Sequence, residues 1–199
     1  MSRQHCLICE RPLPACICKF FTPIENKTQV IVLQHPSEVK QSKGTVTLLV
    51  NSLKNCKVIV GENFSQNNTL LEILSLFKGD VALLYPSEHA RTIDESKVFS
   101  GDINKPKCLL VLDGTWKKAY RLYMLNPFLH NIPHLTLPAS IEGEYVIRKT
   151  KKAQALSTLE ACAHALSLLE QSPAKYKALI DNFIKFNQFQ LSFTKKASD

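Results

Sequence analysis

The stretch 107–116, KCLLVLDGTW, limits what this chain can fold into more than any other. Five apolar residues (Cys108, Leu109, Leu110, Val111 and Leu112) run without a polar break between Pro106 and the turn pair Asp113-Gly114. A short continuous apolar run between turn signals predicts a strand buried on both faces, as in a parallel sheet. Asp113 then closes the strand, and open α/β sheets bind ligands outside the carboxyl ends of their strands. Gly114 permits a sharp turn, Thr115 suits the N-cap of a following helix, and Trp116 is the only tryptophan of the chain. Spacing alone leaves two readings open. Either Asp113 is a chemical group at a site, or it caps a helix and Trp116 packs.

The rest of the chain repeats this alternation of strand and helix. QVIVLQ at 29–34 is an apolar strand that stops at His35-Pro36, and proline cannot continue a ladder. His35 and Glu38 there read either as an acid/base pair or as a hydrogen-bonded loop. Lys43-Gly44-Thr45 lacks the glycine spacing of a phosphate loop, which excludes nucleoside triphosphate binding of that kind. A helix is predicted over 45–54, a strand over 57–60 and a helix over 68–77 ended by Gly79. DVALLY at 80–85 is a further buried strand, stopped by Pro86. Residues 87–105 read as an exposed excursion with a short strand near 97–99. A helix follows over 115–125, then a strand, HLTLPA, over 134–139. A helix over 153–170 has an apolar face of Leu156, Leu159, Ala163, Leu166 and Leu169, with Ser157, Glu160 and His164 on a polar flank. A last helix starts at Pro173, with Phe183, Phe186 and Phe189 as packing residues. The expected architecture is α/β, a mainly parallel sheet with helices on both faces. If the strands are parallel, the loops at His35, Tyr85-Pro86, Asp113 and Pro138-Ser140 share one edge of the sheet.

Four of the seven cysteines lie in the first twenty residues, as Cys6-x2-Cys9-x6-Cys16-x-Cys18. A segment this short cannot bury a core, and a metal would supply the missing stabilisation. Two close pairs of thiolates suit tetrahedral zinc, with Cys6, Cys9, Cys16 and Cys18 as ligands of a structural site. Disulfides and an iron–sulfur cluster are the competing readings. No secretory signal precedes these cysteines, so the expected compartment is the cytoplasm, where thiols stay reduced. No run of apolar residues is long enough to span a membrane. Cys56, Cys108 and Cys162 read as apolar packing.

A net charge of +8 and a pI near 9.1 favour a polyanionic partner. The basic residues concentrate at Lys117, Lys118 and Arg121 on the helix after Trp116, and at Arg148, Lys149, Lys151 and Lys152. Either group can hold phosphates or simply face water. There is no G-x-G-x-x-G, so dinucleotide-type cofactor binding is not supported.

Asp113-Gly114-Thr115-Trp116 resembles the signature of the DTW-domain family. The resemblance extends over nearly the whole chain, through the four-cysteine head, His35-Pro36-Ser37-Glu38 and Ser157-Thr158-Leu159-Glu160-Ala161. The group most resembled is the bacterial tRNA-uridine aminocarboxypropyltransferases. This implies a SPOUT-like fold with a C-terminal trefoil knot, divided into a zinc head at 1–24 and a catalytic domain at 25–199. It implies tRNA and S-adenosylmethionine as substrates. The 3-amino-3-carboxypropyl group would move to uridine N3 and methylthioadenosine would leave. On this reading Asp113, Thr115 and Trp116 form the catalytic motif. Pro138, Ser140, Tyr145, Arg148, Ser157 and Thr158 would hold the cofactor. Lys117, Lys118, Arg121, Lys149, Lys151 and Lys152 would hold RNA. A SPOUT-type RNA methyltransferase and a non-catalytic zinc-dependent RNA-binding module are the alternatives.

Overall fold

A computed structural model describes residues 4–41, 44–94, 105–141 and 156–195. Its centre is a six-stranded sheet in the order β2-β1-β5-β3-β6-β4, with every pairing parallel. The strands are β1 (Gln29–Gln34), β2 (Cys56–Val60), β3 (Val81–Leu84), β4 (Arg91–Thr92), β5 (Cys108–Asp113) and β6 (His134–Thr136). The helices are α1 (Val46–Ser52), α2 (Asn68–Leu76), α3 (Trp116–Leu125), α4 (Thr158–Leu169) and α5 (Pro173–Lys195).

The apolar run at 108–112 is buried on both faces because helices cover both. Leu109 and Val111 face a core shared with Leu48 and Leu49 of α1, Leu166 of α4 and Phe183 of α5. Leu110 and Leu112 face the opposite core, with Leu70 of α2 and Leu122 of α3. Each such fully buried side chain contributes roughly 1.5–3 kcal/mol. Cys108 and Cys162 are buried and Cys56 packs against the core, as expected of apolar thiols.

Three boundaries differ from expectation. The strand β4 lies inside the stretch read as an exposed excursion, and two residues carry too little pattern to announce it. The strand expected near 97–99 lies outside the described residues. α4 begins at Thr158, because Ser157 forms a capping box: its hydroxyl accepts from the Glu160 N–H and the Glu160 carboxylate accepts from the Ser157 N–H. Glu160 is consequently fully buried, not on a polar flank. β6 stops at Thr136, which frees residues 137–139 to turn over the sheet edge.

The head is not independent of the sheet. Phe20 packs edge-on against Phe186 of α5 at 6.1 Å and against Phe189 at 5.4 Å. Among the described residues no helix is long and apolar enough to cross a membrane.

Candidate active site

The carboxyl ends of β3, β5 and β6 open into a cleft of about 390 Å³. Its walls are mostly apolar, with Leu84, Leu112, Leu135, Leu137 and Ile141, and the first residues of α4, Ser157 and Thr158, supply hydroxyls at one side. This size and character suit a small organic ligand held by shape and a few polar anchors. Of the four loops expected at this edge, Tyr85-Pro86, Gly114 and Pro138-Ala139 line the cleft. The loop at His35 does not; it braces the neighbouring helix instead.

Asp113 ends β5 beside Gln34 at the end of β1, in direct register. The Gln34 amide donates to Asp113 Oδ2 at 2.9 Å, and the Thr158 hydroxyl donates to Oδ1 at 2.7 Å. Only 8% of Asp113 is exposed. The carboxylate thus ties the start of α4 to two central strands, with its plane set by two donors. Gln34 was legible in the sequence as the one polar residue closing an apolar strand at the same position as Asp113, but its role depended on knowing that β1 and β5 are neighbours.

Gly114 is required by close approach. A Cβ there would lie 2.9 Å from Lys118 Cβ. Thr115 caps α3, its hydroxyl accepting from the Lys118 N–H at 3.4 Å. Trp116 lines the cleft and remains 51% exposed, so it is not core packing. Among the other sequence candidates, Pro138 and Thr158 line the cleft, and Ser157 lines it while spending its hydroxyl on the cap. Ser140 is exposed at the rim. Tyr145, Arg148, Lys149, Lys151 and Lys152 lie outside the described residues.

The basic face of α3 is more complex than its sequence. Lys118 donates to Glu38 Oε1 at 2.6 Å. Arg121 donates through Nε and Nη2 to Glu62 Oε2, at 3.0 and 2.8 Å. His35 Nε2 lies 3.0 Å from the other oxygen of Glu62. The Arg121 guanidinium, with His35 nearby, holds the Glu62 carboxyl below its usual range. His35 and Glu38 therefore do not pair with each other: each braces α3 by a separate partner. Lys118 and Arg121 are occupied within the chain, whereas Lys117 is exposed with no ion-pair partner among the described residues. Sequence spacing could not separate these three, because Glu38 and Glu62 are far away along the chain.

In the head, the Sγ atoms of Cys6, Cys9, Cys16 and Cys18 lie within 4.8 Å of one another. Cys6 and Cys18 are 3.5 Å apart, and Cys9 and Cys16 are 3.7 Å apart. Tetrahedral zinc with Zn–S of about 2.3 Å needs sulfurs about 3.8 Å apart, so the cluster can hold such an ion. A tight turn returns the Glu10 N–H to the Cys6 carbonyl, with Glu10 at φ 57°. Backbone N–H groups of Cys9 and Ile8 bring the Cys6 thiol down to about 6, while burial and the neighbouring thiols push Cys18 up to about 12. A cation among the four would remove that opposition. All seven cysteines are free.

A family description of the DTW domain matches residues 3–191. The chain belongs to the DTW-domain family. Among curated DTW relatives, the tRNA-uridine aminocarboxypropyltransferase 2 of Macaca fascicularis is 32% identical over 95% of this chain, and that of Drosophila melanogaster is 30% identical over 95%. The tRNA-uridine aminocarboxypropyltransferase A of Arabidopsis thaliana is 26% identical over 97% of this chain. These relatives come from animals and a plant, whereas the sequence motifs pointed to the bacterial group. The match spans 64% of the macaque protein, 76% of the fly protein and 83% of the plant protein, so the DTW unit is the part shared with them. No solved structure matches the chain.

Proposed function

We propose that this DTW protein transfers the 3-amino-3-carboxypropyl group of S-adenosylmethionine to N3 of a tRNA uridine. The observation that carries the reading is the D-G-T-W corner at the carboxyl edge of a parallel sheet, where Gly114 and Trp116 line an apolar cleft and Asp113 lies behind them on the hydroxyl of the lining residue Thr158, in a chain similar to named tRNA-uridine aminocarboxypropyltransferases. When bound, S-adenosylmethionine supplies a sulfonium-activated methylene carbon to a nucleophile. The apolar walls from β3 and β6, with Leu137, Pro138 and Ile141, suit its adenosine, with Ser157 and Thr158 at the polar side, Ser140 at the rim, and Tyr145 and Arg148 following in the chain.

Uridine N3–H is a weak acid and a poor nucleophile while protonated. Asp113 takes that proton or orients it, a step worth roughly 10²–10⁴-fold. Gln34 and Thr158 hold the carboxylate plane for this. Thr115 fixes the start of α3, and Trp116 stacks on the base. Lys117, with Lys149, Lys151 and Lys152, takes the phosphates; Lys118 and Arg121 contribute only after leaving Glu38 and Glu62. The head at 1–24 carries a structural zinc on its four thiolates, and 25–199 is the catalytic domain.

The SPOUT-like reading with a trefoil knot is supported by one feature of the sheet. β6 lies between β3 and β4, which are joined by only residues 85–90. A threaded chain would leave that arrangement. Seven free cysteines suit a reducing compartment such as the cytoplasm.

Mass spectrometry of the products tests the transferase reading. Protein, S-adenosylmethionine and unmodified tRNA should yield methylthioadenosine and a uridine heavier by one aminocarboxypropyl group. S-adenosylhomocysteine would instead make the protein a methyltransferase, and neither product with tRNA still bound would leave a binding module.

A further inference from the structure

Trp116, Tyr120 and Met124 stand at every fourth position of α3, and all three are exposed, at 51%, 57% and 49%. Residues four apart on a helix lie on one face with a rise of about 6 Å. The first of them lines the cleft, so this ridge leads from the cleft outward along the helix. Tyr85 joins it from the β3 loop: its ring lines the cleft and stacks on Tyr123 at 4.7 Å, with planes 17° apart. Burial, with Tyr123 and Tyr120 close by, raises the Tyr85 phenol. The only tryptophan and three of the five tyrosines of the chain thus gather at one edge. The sheet and both cores close without the exposed members.

We infer that the ridge Trp116–Tyr120–Met124 is a stacking platform for unpaired nucleotides that flank the target base, so that the protein reads a single-stranded loop rather than a duplex. The inference rests on the tRNA reading above. Aromatic faces along a basic surface are how single strands are held without sequence readout. The chain carries +8, and Lys117 on the same helix is exposed beside the ridge with no ion-pair partner among the described residues. A second copy of the chain would bring the same charge to this face, which disfavours self-association there.

The test is binding of unmodified tRNA by the full chain across a salt series, for wild type, Y120A, Y120F and K117A. Y120A should weaken binding by roughly 5–150-fold, the worth of one stacked base. Y120F should keep wild-type affinity, since stacking needs the ring and not the hydroxyl. The slope of log K against log salt should be unchanged in Y120A and shallower by about one in K117A, because only the lysine releases a counterion. A base-paired RNA of equal length should compete poorly against a single-stranded loop. Unchanged affinity in Y120A overturns the platform. So does sedimentation that shows a wild-type dimer dissociated by Y120A, which would give the ridge to a second copy. Loss of methylthioadenosine formation in the wild type, with Tyr120-dependent RNA binding intact, would sink the transferase reading and leave the platform standing.

Discussion

Replacing Asp113 by asparagine separates the chemical role of the carboxylate from its structural one. The side chain keeps its shape but loses its charge and one acceptor. Thr158 donates to Oδ1 at 2.7 Å and Gln34 donates to Oδ2 at 2.9 Å. If the asparagine oxygen continues to serve Thr158, its new amide faces the Gln34 amide, which must turn over to present its own oxygen. Hydrogen bonds to a charged group are worth roughly 1.5–3 kcal/mol and neutral ones roughly 0.5–1.5. Exchanging two of the first kind for two of the second costs about 2–3 kcal/mol, which in a chain of this length lowers Tm by about 4–12 °C. The rate of methylthioadenosine release should fall much further, by roughly 10²–10⁴-fold, if Asp113 accepts or orients the N3 proton. Thermal unfolding, tRNA binding and product release on the same preparation give the three numbers. A folded, tRNA-binding Asp113→Asn protein with near wild-type turnover would refute the reasoning. Thr158→Val provides the control: it removes the hydroxyl and keeps the charge. Equal rate losses in the two variants would mean that Asp113 acts only by anchoring α4.

Three further outcomes follow from the geometry. Chelation of the head, or Cys9→Ser, should lower Tm and expose the α5 face that Phe20 covers, read as increased binding of an apolar dye; a chelator-treated protein with unchanged Tm would count against a structural metal. Gly114→Ala should cost about 1–3 kcal/mol through the 2.9 Å approach to Lys118 Cβ, and should reduce transfer by moving the start of α3; a Tm equal to wild type would show that the turn yields freely. Glu170 governs an acid-sensitive part of stability. Burial opposes its charge, but the Lys175 ammonium and the N–H groups of Thr28 and Lys27 outweigh burial and hold the carboxyl below its usual range. A depressed folded pKa gives stability that is present above the unfolded value, near 4.3, and is lost as pH falls through the folded one. Glu170→Gln should therefore be less stable than wild type at neutral pH, with the gap closing in acid; a pH-independent gap would assign the loss to packing alone.

How far the chain can be read without coordinates depends on the range over which each signal acts. The apolar runs at 29–34, 80–85 and 107–113, the proline and glycine stops, and the Thr115 cap are all local. They depend on neighbouring residues and on the pleat or the helical turn, so strands, helices and the convergence of three loops at one edge were legible. The cysteine spacing was legible for the same reason, since a knuckle closes over few residues. Which partner each charged side chain meets was not. Lys118 meets Glu38 across 80 positions and Arg121 meets Glu62 across 59. Both pairings exist only because the ends of β1 and β2 lie beside α3. The same holds for Gln34 and Thr158 on Asp113, for the burial of Glu160, and for the ridge of Tyr120 and Met124, whose exposure depends on what the sheet leaves uncovered. Backbone periodicity belongs to short segments, whereas desolvation and ion pairing belong to the order in which the strands assemble.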